Sequence, residues 1–343
     1  MTGARAWGLD CGQMAPGPMN AITDVPGVAV GHRTVLGNGL ATGVTAIVPH
    51  RGDLFRDKVP AAAEVINGFG KSTGLMQVQE LGTLETPVLL TNTFGVGTCA
   101  NALIRQAVAA NPGIGRTTST VNPVVMECND GPLNDIQAMA VTEDDARAAL
   151  AAASGGPVRQ GAVGAGTGMT CFGFKGGVGS ASRAIPLDGR AFHLGALVLV
   201  NFGRAGDLVL PGGLRADPRV PPAPEQGSVI VVLATDVPLS VRQLARVARR
   251  AGAGLARLGA FWGHGSGDIA LAFTTANRVP QEARGDFRNE VVLNDARIDL
   301  MFRAASEATA EAVINAMLAA TPVQGRGGAT RPLLGDWLAR RGG

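Results

Sequence analysis

Residues 222–236, PAPEQGSVIVVLATD, change character at one peptide bond. Up to Gln226 the chain is polar and proline-rich; after Gly227-Ser228 it becomes a continuous apolar, β-branched run. A run of this length and kind, bounded by turn residues, predicts a strand buried on both faces. Such a strand needs a layer on each side of its sheet, so this stretch decides the fold class. It also raises a question. A core strand here opens on a small hydroxyl residue, immediately after a glycine. One answer is that Gly and Ser are ordinary turn residues. The other is that Ser228 is meant to become a chain terminus.

Comparable apolar runs cover residues 42–49, 87–92, 121–127, 193–201 and 269–275. Helices are predicted over 99–110, 143–153, 241–258 and 304–320. Thr142 precedes the second as N-cap, with acidic residues in the first turn. Ser240 precedes the third, with Gln243 at capping-box spacing and Val241, Leu244, Val247, Ala248, Leu255 and Leu258 on one face. Strands and helices interleave without a break in composition, which predicts sheets sandwiched by helices. The exception is 204–227, with five prolines, read as an exposed linker ending at the Gly227-Ser228 bond.

The bulk composition excludes several classes. Of 343 residues, 30 are basic and 27 acidic, a near balance that gives no polyanion-binding surface, so no nucleic-acid partner is expected. No apolar stretch reaches transmembrane length. Cys11, Cys99, Cys128 and Cys171 have no metal or redox spacing. With no signal peptide expected, they read as reduced thiols of a cytoplasmic protein. The four histidines (His32, His50, His193, His264) have no i, i+3 or i, i+4 partner, so neither a metal nor another cofactor is expected.

Two glycine motifs invite a nucleotide reading. GFGKST, residues 68–73, ends like a phosphate-binding loop, but the glycine required five positions before Gly70 is Val65. In GAGTGMTCFGFKGGVGS, residues 164–180, Met169 stands where the dinucleotide fingerprint needs its third glycine. This loop either lets backbone pack closely or lines a site and positions Lys175 there.

Scarce histidine and the lack of a G-x-S-x-G elbow leave a serine hydroxyl in search of a base. A free α-amino group, with an unperturbed pKa of about 7.7–8.0, is such a base. Only a Ser at the head of a chain carries one beside its own hydroxyl. If Gly227-Ser228 is cut, Ser228 therefore supplies nucleophile and base from one residue. Gly227 lacks a side chain, so the hydroxyl can approach its carbonyl and shift the acyl group from N to O.

Seven stretches then resemble, in order, one family: NAITDVPGVAVGH (20–32), TGVTAIVP (42–49), TNTFGVG (91–97), LNDI (133–136), GAGTGMTCFGFKGG (164–177), GSVIVVLATDVPL (227–239) and GSGDIALAFTTAN (265–277). They are similar to the self-processing N-terminal-serine aminopeptidases, which include L-aminopeptidase/D-amidase/D-esterase and the β-peptidyl aminopeptidases. The resemblance spans about residues 19–320. It implies an α+β fold, a four-layer αββα sandwich layered like the N-terminal-nucleophile hydrolases but connected differently. It implies one domain cut into 1–227 and 228–343, assembled as a homo-oligomer, a tetramer of αβ units. The family's nucleophile falls on Ser228, its GSGD pair on Ser266 and Asp268, and its oxyanion asparagine on Asn201. A lysine of the related nylon-oligomer hydrolases matches Lys175, and the acidic residue that meets the substrate amine matches Glu127. Asn129 and Asn134 fall in the same substrate-binding segment. One departure stands out. Family members carry an aromatic hydroxyl within the stretch matching ECNDGPLND, where this chain has Asn129 and no Tyr anywhere. That difference bears on rate or specificity.

The expected activity is removal of N-terminal residues from short peptides, amides or esters through an acyl-enzyme on Ser228. Two alternatives stay open. The same fold can act on a pantetheine-type or oligoamide substrate, or transfer acyl groups; and the glycine loops can belong to a non-catalytic nucleotide-binding protein.

Overall fold

The β-branched run and its neighbours build two sheets. The computed structural model describes residues 3–221, 224, 227–283 and 285–341. The smaller sheet runs Ala29–Gly37, Leu40–Val48, Val88–Asn92, Val124–Cys128 in spatial order, antiparallel until its last, parallel pair. The larger sheet places Asp57–Gly68, Gly267–Thr274, Ser228–Thr235, Arg190–Asn201 and Gly177–Leu187 side by side.

Alternation along the serine strand, Ser228–Thr235, shows why both its faces are apolar. Val229, Val231 and Leu233 join a core with Leu244, Val247 and Ala248 of helix Val241–Ala256 and with Ala308, Ala312 and Ala316 of helix Ile298–Leu318. Ile230, Val232 and Ala234 join a second core with Val88, Leu90, Val124 and Met126 of the smaller sheet. A third core seats helices Val96–Ala110 and Glu143–Ala151 on the outer face of that smaller sheet, through Cys99, Leu103, Ala146 and Ala149 against Val44, Ala46 and Leu89. Helix, sheet, sheet, helix is the resulting order of layers. A side-chain period of two puts Ser228 on the inter-sheet face, with Ile230.

The serine strand and Gly267–Thr274 are parallel, with Ser228 opposite Gly267. Parallel neighbours require a crossover, and helix Val241–Ala256 provides it. That helix starts where the capping box put it: Ser240 Oγ accepts from Gln243 N, and Gln243 Oε1 accepts from Ser240 N. The consequence for function is positional. Both strands begin at the same edge, so the hydroxyl of Ser228 and the GSGD turn lie together.

The segment 204–227 differs from the exposed linker expected. Leu208–Leu210 and Leu214–Ala216 pair as a short ribbon, with Leu208, Leu210 and Ala216 buried in the helix-side core. Apolar residues at period two inside a Gly/Pro-rich stretch account for this. Of the PPAPEQ stretch, Pro222, Ala223, Glu225 and Gln226 lie outside the described residues. The four cysteines are buried and form no disulfide. Among the described residues no helix is long and apolar enough to cross a membrane.

Candidate active site

At the head of the serine strand, Ser228 Oγ donates to the carbonyl oxygen of Gly227 at 2.8 Å. The backbone N–H of Gly267 reaches both oxygens, 3.2 Å from Ser228 Oγ and 3.3 Å from Gly227 O. This donor exists because the two strands are parallel and in register there. A Cβ built on Gly227 would lie 2.0 Å from Asn201 O and 2.7 Å from Phe202 Cα. Gly227 is therefore required by the backbone behind it, as well as by the approach of the hydroxyl.

Ser266 and Asp268 meet as their spacing predicts: Ser266 Oγ donates to Asp268 Oδ1 at 2.7 Å, and both are buried. The turn before them is clamped by Asn67, whose Nδ2 donates to Gly263 O at 3.0 Å and to Ser266 O. Asn67 faces Asp268 across a bulge in Asp57–Gly68, where Ile66 is the extra residue. Bulges re-aim a side chain beside a site, and here the re-aimed side chain holds the GSGD turn.

Asn201 ends its strand directly opposite Ser228. Its Oδ1 accepts from Thr170 N at 2.9 Å and its Nδ2 donates to Asn129 O at 2.8 Å, which leaves the second N–H of the amide for another acceptor. The glycine loop behind Thr170 is organised by Lys175. Its Nζ donates to the carbonyls of Gly166, Met169 and Gly176 at 3.1, 2.9 and 2.9 Å, with no carboxylate partner among the described residues. Burial pulls the Lys175 pKa down to about 7, while three carbonyl acceptors favour the ammonium and oppose that fall. Lys175 and Ser228 share no hydrogen bond. Close backbone packing is visible in the same loop: a Cβ on Gly168 would sit 2.1 Å from Ala41 O.

Glu127, at the end of Val124–Cys128, is buried, accepts from Lys71 N at 2.8 Å and receives the Thr93 hydroxyl. It shares a pocket of about 250 Å³ with Ser228, Asn129, Phe69, Phe94 and Ile136. Asn129 is exposed at its rim. Asn134 is not brought there: it is buried, accepting from Ala41 N at 3.0 Å and donating to Asp130 Oδ1 at 3.0 Å. Desolvation raises the Asp130 pKa to about 6, the hydrogen bonds to it notwithstanding.

Sequence reasoning missed Gly267, Asn67, Phe69, Lys71, Thr93 and Phe94. A backbone donor leaves no trace in a sequence. Four others sit in stretches noticed for different reasons: Phe69 and Lys71 in GFGKST, which turns out to wall the pocket, and Thr93 with Phe94 in TNTFGVG.

Four αββα layers, with a hydroxyl poised on a carbonyl at the head of a central strand, define a serine hydrolase of the N-terminal-nucleophile architecture. The model of peptidase family S58 matches residues 20–331, and the chain belongs to that family. It is 39% identical, over 92% of its length and 85% of the relative's, to the β-peptidyl aminopeptidase BapA of Sphingosinicella microcystinivorans. Among solved structures it is similar to the β-aminopeptidase of a Burkholderia species, 41% identical, covering 98% of this chain and 96% of that one with a TM-score of 0.89. It is also similar to the L-aminopeptidase D-Ala-esterase/amidase of Ochrobactrum anthropi, 39% identical, covering 99% and 98% with a TM-score of 0.90. That structure is described as a prototype for the serine aminopeptidases and a variant of the Ntn hydrolase fold. The chain is accordingly a peptide- and amide-bond hydrolase of the serine aminopeptidase kind.

Proposed function

We propose that the chain cleaves itself at Gly227-Ser228 and then removes N-terminal residues from short peptides, amides or esters through an acyl-enzyme on Ser228. The observation that carries this reading is the 2.8 Å contact between Ser228 Oγ and Gly227 O, with one N–H, that of Gly267, aimed at both oxygens. In self-cleavage, Ser228 Oγ attacks the Gly227 carbonyl carbon. Negative charge develops on Gly227 O, where the Gly267 N–H already points. The hydroxyl proton passes to the amide nitrogen and the C–N bond breaks, leaving an ester to Ser228 Oγ and a free amine on Ser228. Water hydrolyses the ester and releases Gly227 as a carboxylate, giving chains 1–227 and 228–343 of one domain.

In turnover, Ser228 Oγ attacks the substrate carbonyl and the Ser228 amine takes its proton. The Ser266–Asp268 pair, on the neighbouring strand, stabilises the ammonium so formed. The free N–H of Asn201 and the Gly267 N–H hold the oxyanion. The ammonium hands its proton to the leaving amine, and water frees the acyl group. Glu127, in the same pocket as Ser228, meets the substrate's own amine. Lys175 acts as a positioning residue, because it holds the loop that holds Asn201. Asn129 stands at the pocket rim, and Asn134 supports the segment from behind. The reading needs no cofactor. It places the enzyme in the cytoplasm as a homo-oligomer, a tetramer of αβ units, which light scattering tests.

Relatives described as β-peptidyl aminopeptidase and L-aminopeptidase D-Ala-esterase/amidase make both β-amino and D-alanyl substrates reasonable for this chain. A panel of aminoacyl p-nitroanilides with α, β-homo and D residues decides the preference. Turnover of at least one of them is expected, and activity confined to pantetheine-type amides or to acyl transfer would replace the aminopeptidase reading.

A further inference from the structure

Two cavities adjoin the Gly227-Ser228 bond, and their charged linings differ. The first holds Ser228, the Glu127 carboxylate and Lys71, whose ammonium lies over the Phe69 ring, 4.1 Å from its centroid. The second, about 430 Å³, begins at Gly227 and Asn201 and extends past Thr170 to Arg204 and Arg331, with no acidic residue among the described residues that line it. Neither guanidinium has an ion pair among the described residues. Arg331 donates to its neighbour's carbonyl, Thr330 O, at 2.9 Å, and the Arg204 side chain makes no hydrogen bond among the described residues. Several other arginines are paired, Arg183 with Glu307 and Glu311, Arg249 with Glu64 and Arg242 with Asp295 among them.

We propose that this second cavity is a carboxylate subsite that takes the C-terminal carboxylate of a short peptide whose free amine lies at Glu127. The inference rests on the reading of Ser228 as nucleophile. A planar guanidinium matches a carboxylate through paired N–H donors, which makes Arg the fitting residue for this end of the substrate. A substrate bridging from Glu127 to Arg204 and Arg331 passes Ser228 and Asn201 on the way, so its scissile carbonyl lies where the chemistry is. The two charges also select length, since a long peptide cannot present both termini to one site. The same chemistry has a second source. Self-cleavage creates a carboxylate on Gly227 at the mouth of this cavity, and that terminus competes for the same guanidinium groups.

The test compares kcat/KM for a dipeptide bearing a free C-terminal carboxylate with that for its C-terminal amide. It uses mature wild-type enzyme, Arg204→Gln, Arg331→Gln and the double variant, each before and after carboxypeptidase trimming of the 1–227 chain. Wild type is expected to prefer the free acid by about tenfold or more, chiefly through KM, as a charge-assisted hydrogen bond allows. Each variant's own acid-to-amide ratio should fall toward one, and Arg→Lys should recover part of it. A preference that emerges only after trimming supports the subsite and names the Gly227 carboxylate as its resident occupant. A ratio near one in wild type before and after trimming, with p-nitroanilides still hydrolysed, overturns the subsite and leaves the hydrolase reading standing. Wild type inert toward every substrate overturns both.

Discussion

Gly227→Ala tests the geometry of self-cleavage without touching the nucleophile. The new methyl would sit 2.0 Å from Asn201 O, 2.9 Å from Asn201 C and 2.7 Å from Phe202 Cα, all backbone atoms. Ordinary contact needs about 3.4 Å, so the strand head must retreat by about 1.4 Å. That retreat separates Gly227 O from the Gly267 N–H, now 3.3 Å away, and tilts Ser228 Oγ off the carbonyl. Misplacement of about 1 Å in a reacting pair costs about 10²-fold in rate. Overpacking of this kind costs about 1–3 kcal/mol, which leaves most of a 343-residue fold in place. The assay is a time course of the uncut chain on a denaturing gel, beside wild type, with circular dichroism to confirm folding. A folded variant that processes at the wild-type rate would refute the account of how Gly227 and Gly267 position the bond.

Asp268→Asn keeps size but removes the charge that supports the Ser228 ammonium, so kcat should fall about 10²-fold or more with little change in Tm. Ser266→Ala should lose less; full specific activity in a destabilised Asp268→Asn protein would make Asp268 a structural turn residue. Lys175→Met strips three carbonyls of their donor and should slow turnover while lowering Tm by several degrees, whereas Lys175→Arg should behave little better, because a planar fork cannot reproduce three convergent bonds; unchanged kcat in a folded Met variant would end its positioning role. Asp130, fully buried, has its pKa raised from 3.8 to about 6, so its contribution to stability is present below about pH 4 and is lost as pH rises through 6. Asp130→Asn should therefore gain on wild type in unfolding free energy between pH 4 and pH 7.5, by up to roughly 3 kcal/mol, and a difference that stays constant across that range would contradict the burial argument.

What could be read in advance follows from which signals a sequence carries. The serine strand was legible because β-branched residues continue on both faces, and the observed Ser228–Thr235 begins one residue before the apolar run. Helix Val241–Ala256 was legible through its capping box. Gly177–Leu187, GVGSASRAIPL, was not, because small residues have poor strand propensity. They are small for a tertiary reason: a Cβ on Gly179 would lie 2.0 Å from Ala312 O, so helix Ile298–Leu318 packs against nearly bare backbone. Asp57–Gly68 hid behind three alanines and Pro60 in the same way. In the site, the side chains of Ser266 and Asp268 were legible as a pair, because two-residue spacing on an extended chain sets them on one face. The Gly267 N–H between them was not, since its role depends on the register of two parallel strands 39 residues apart. Lys175 carried a hint of function in its sequence context, but only the fold reveals that its three donors all end on carbonyls.

The central claim is that Ser228 becomes a chain terminus, and intact-mass measurement with N-terminal sequencing tests it most directly. Purified wild-type protein should resolve into two chains, the second beginning Ser-Val-Ile-Val, while Ser228→Ala remains one chain and hydrolyses nothing. A wild-type chain that stays whole after prolonged incubation yet turns over aminoacyl substrates would contradict the account.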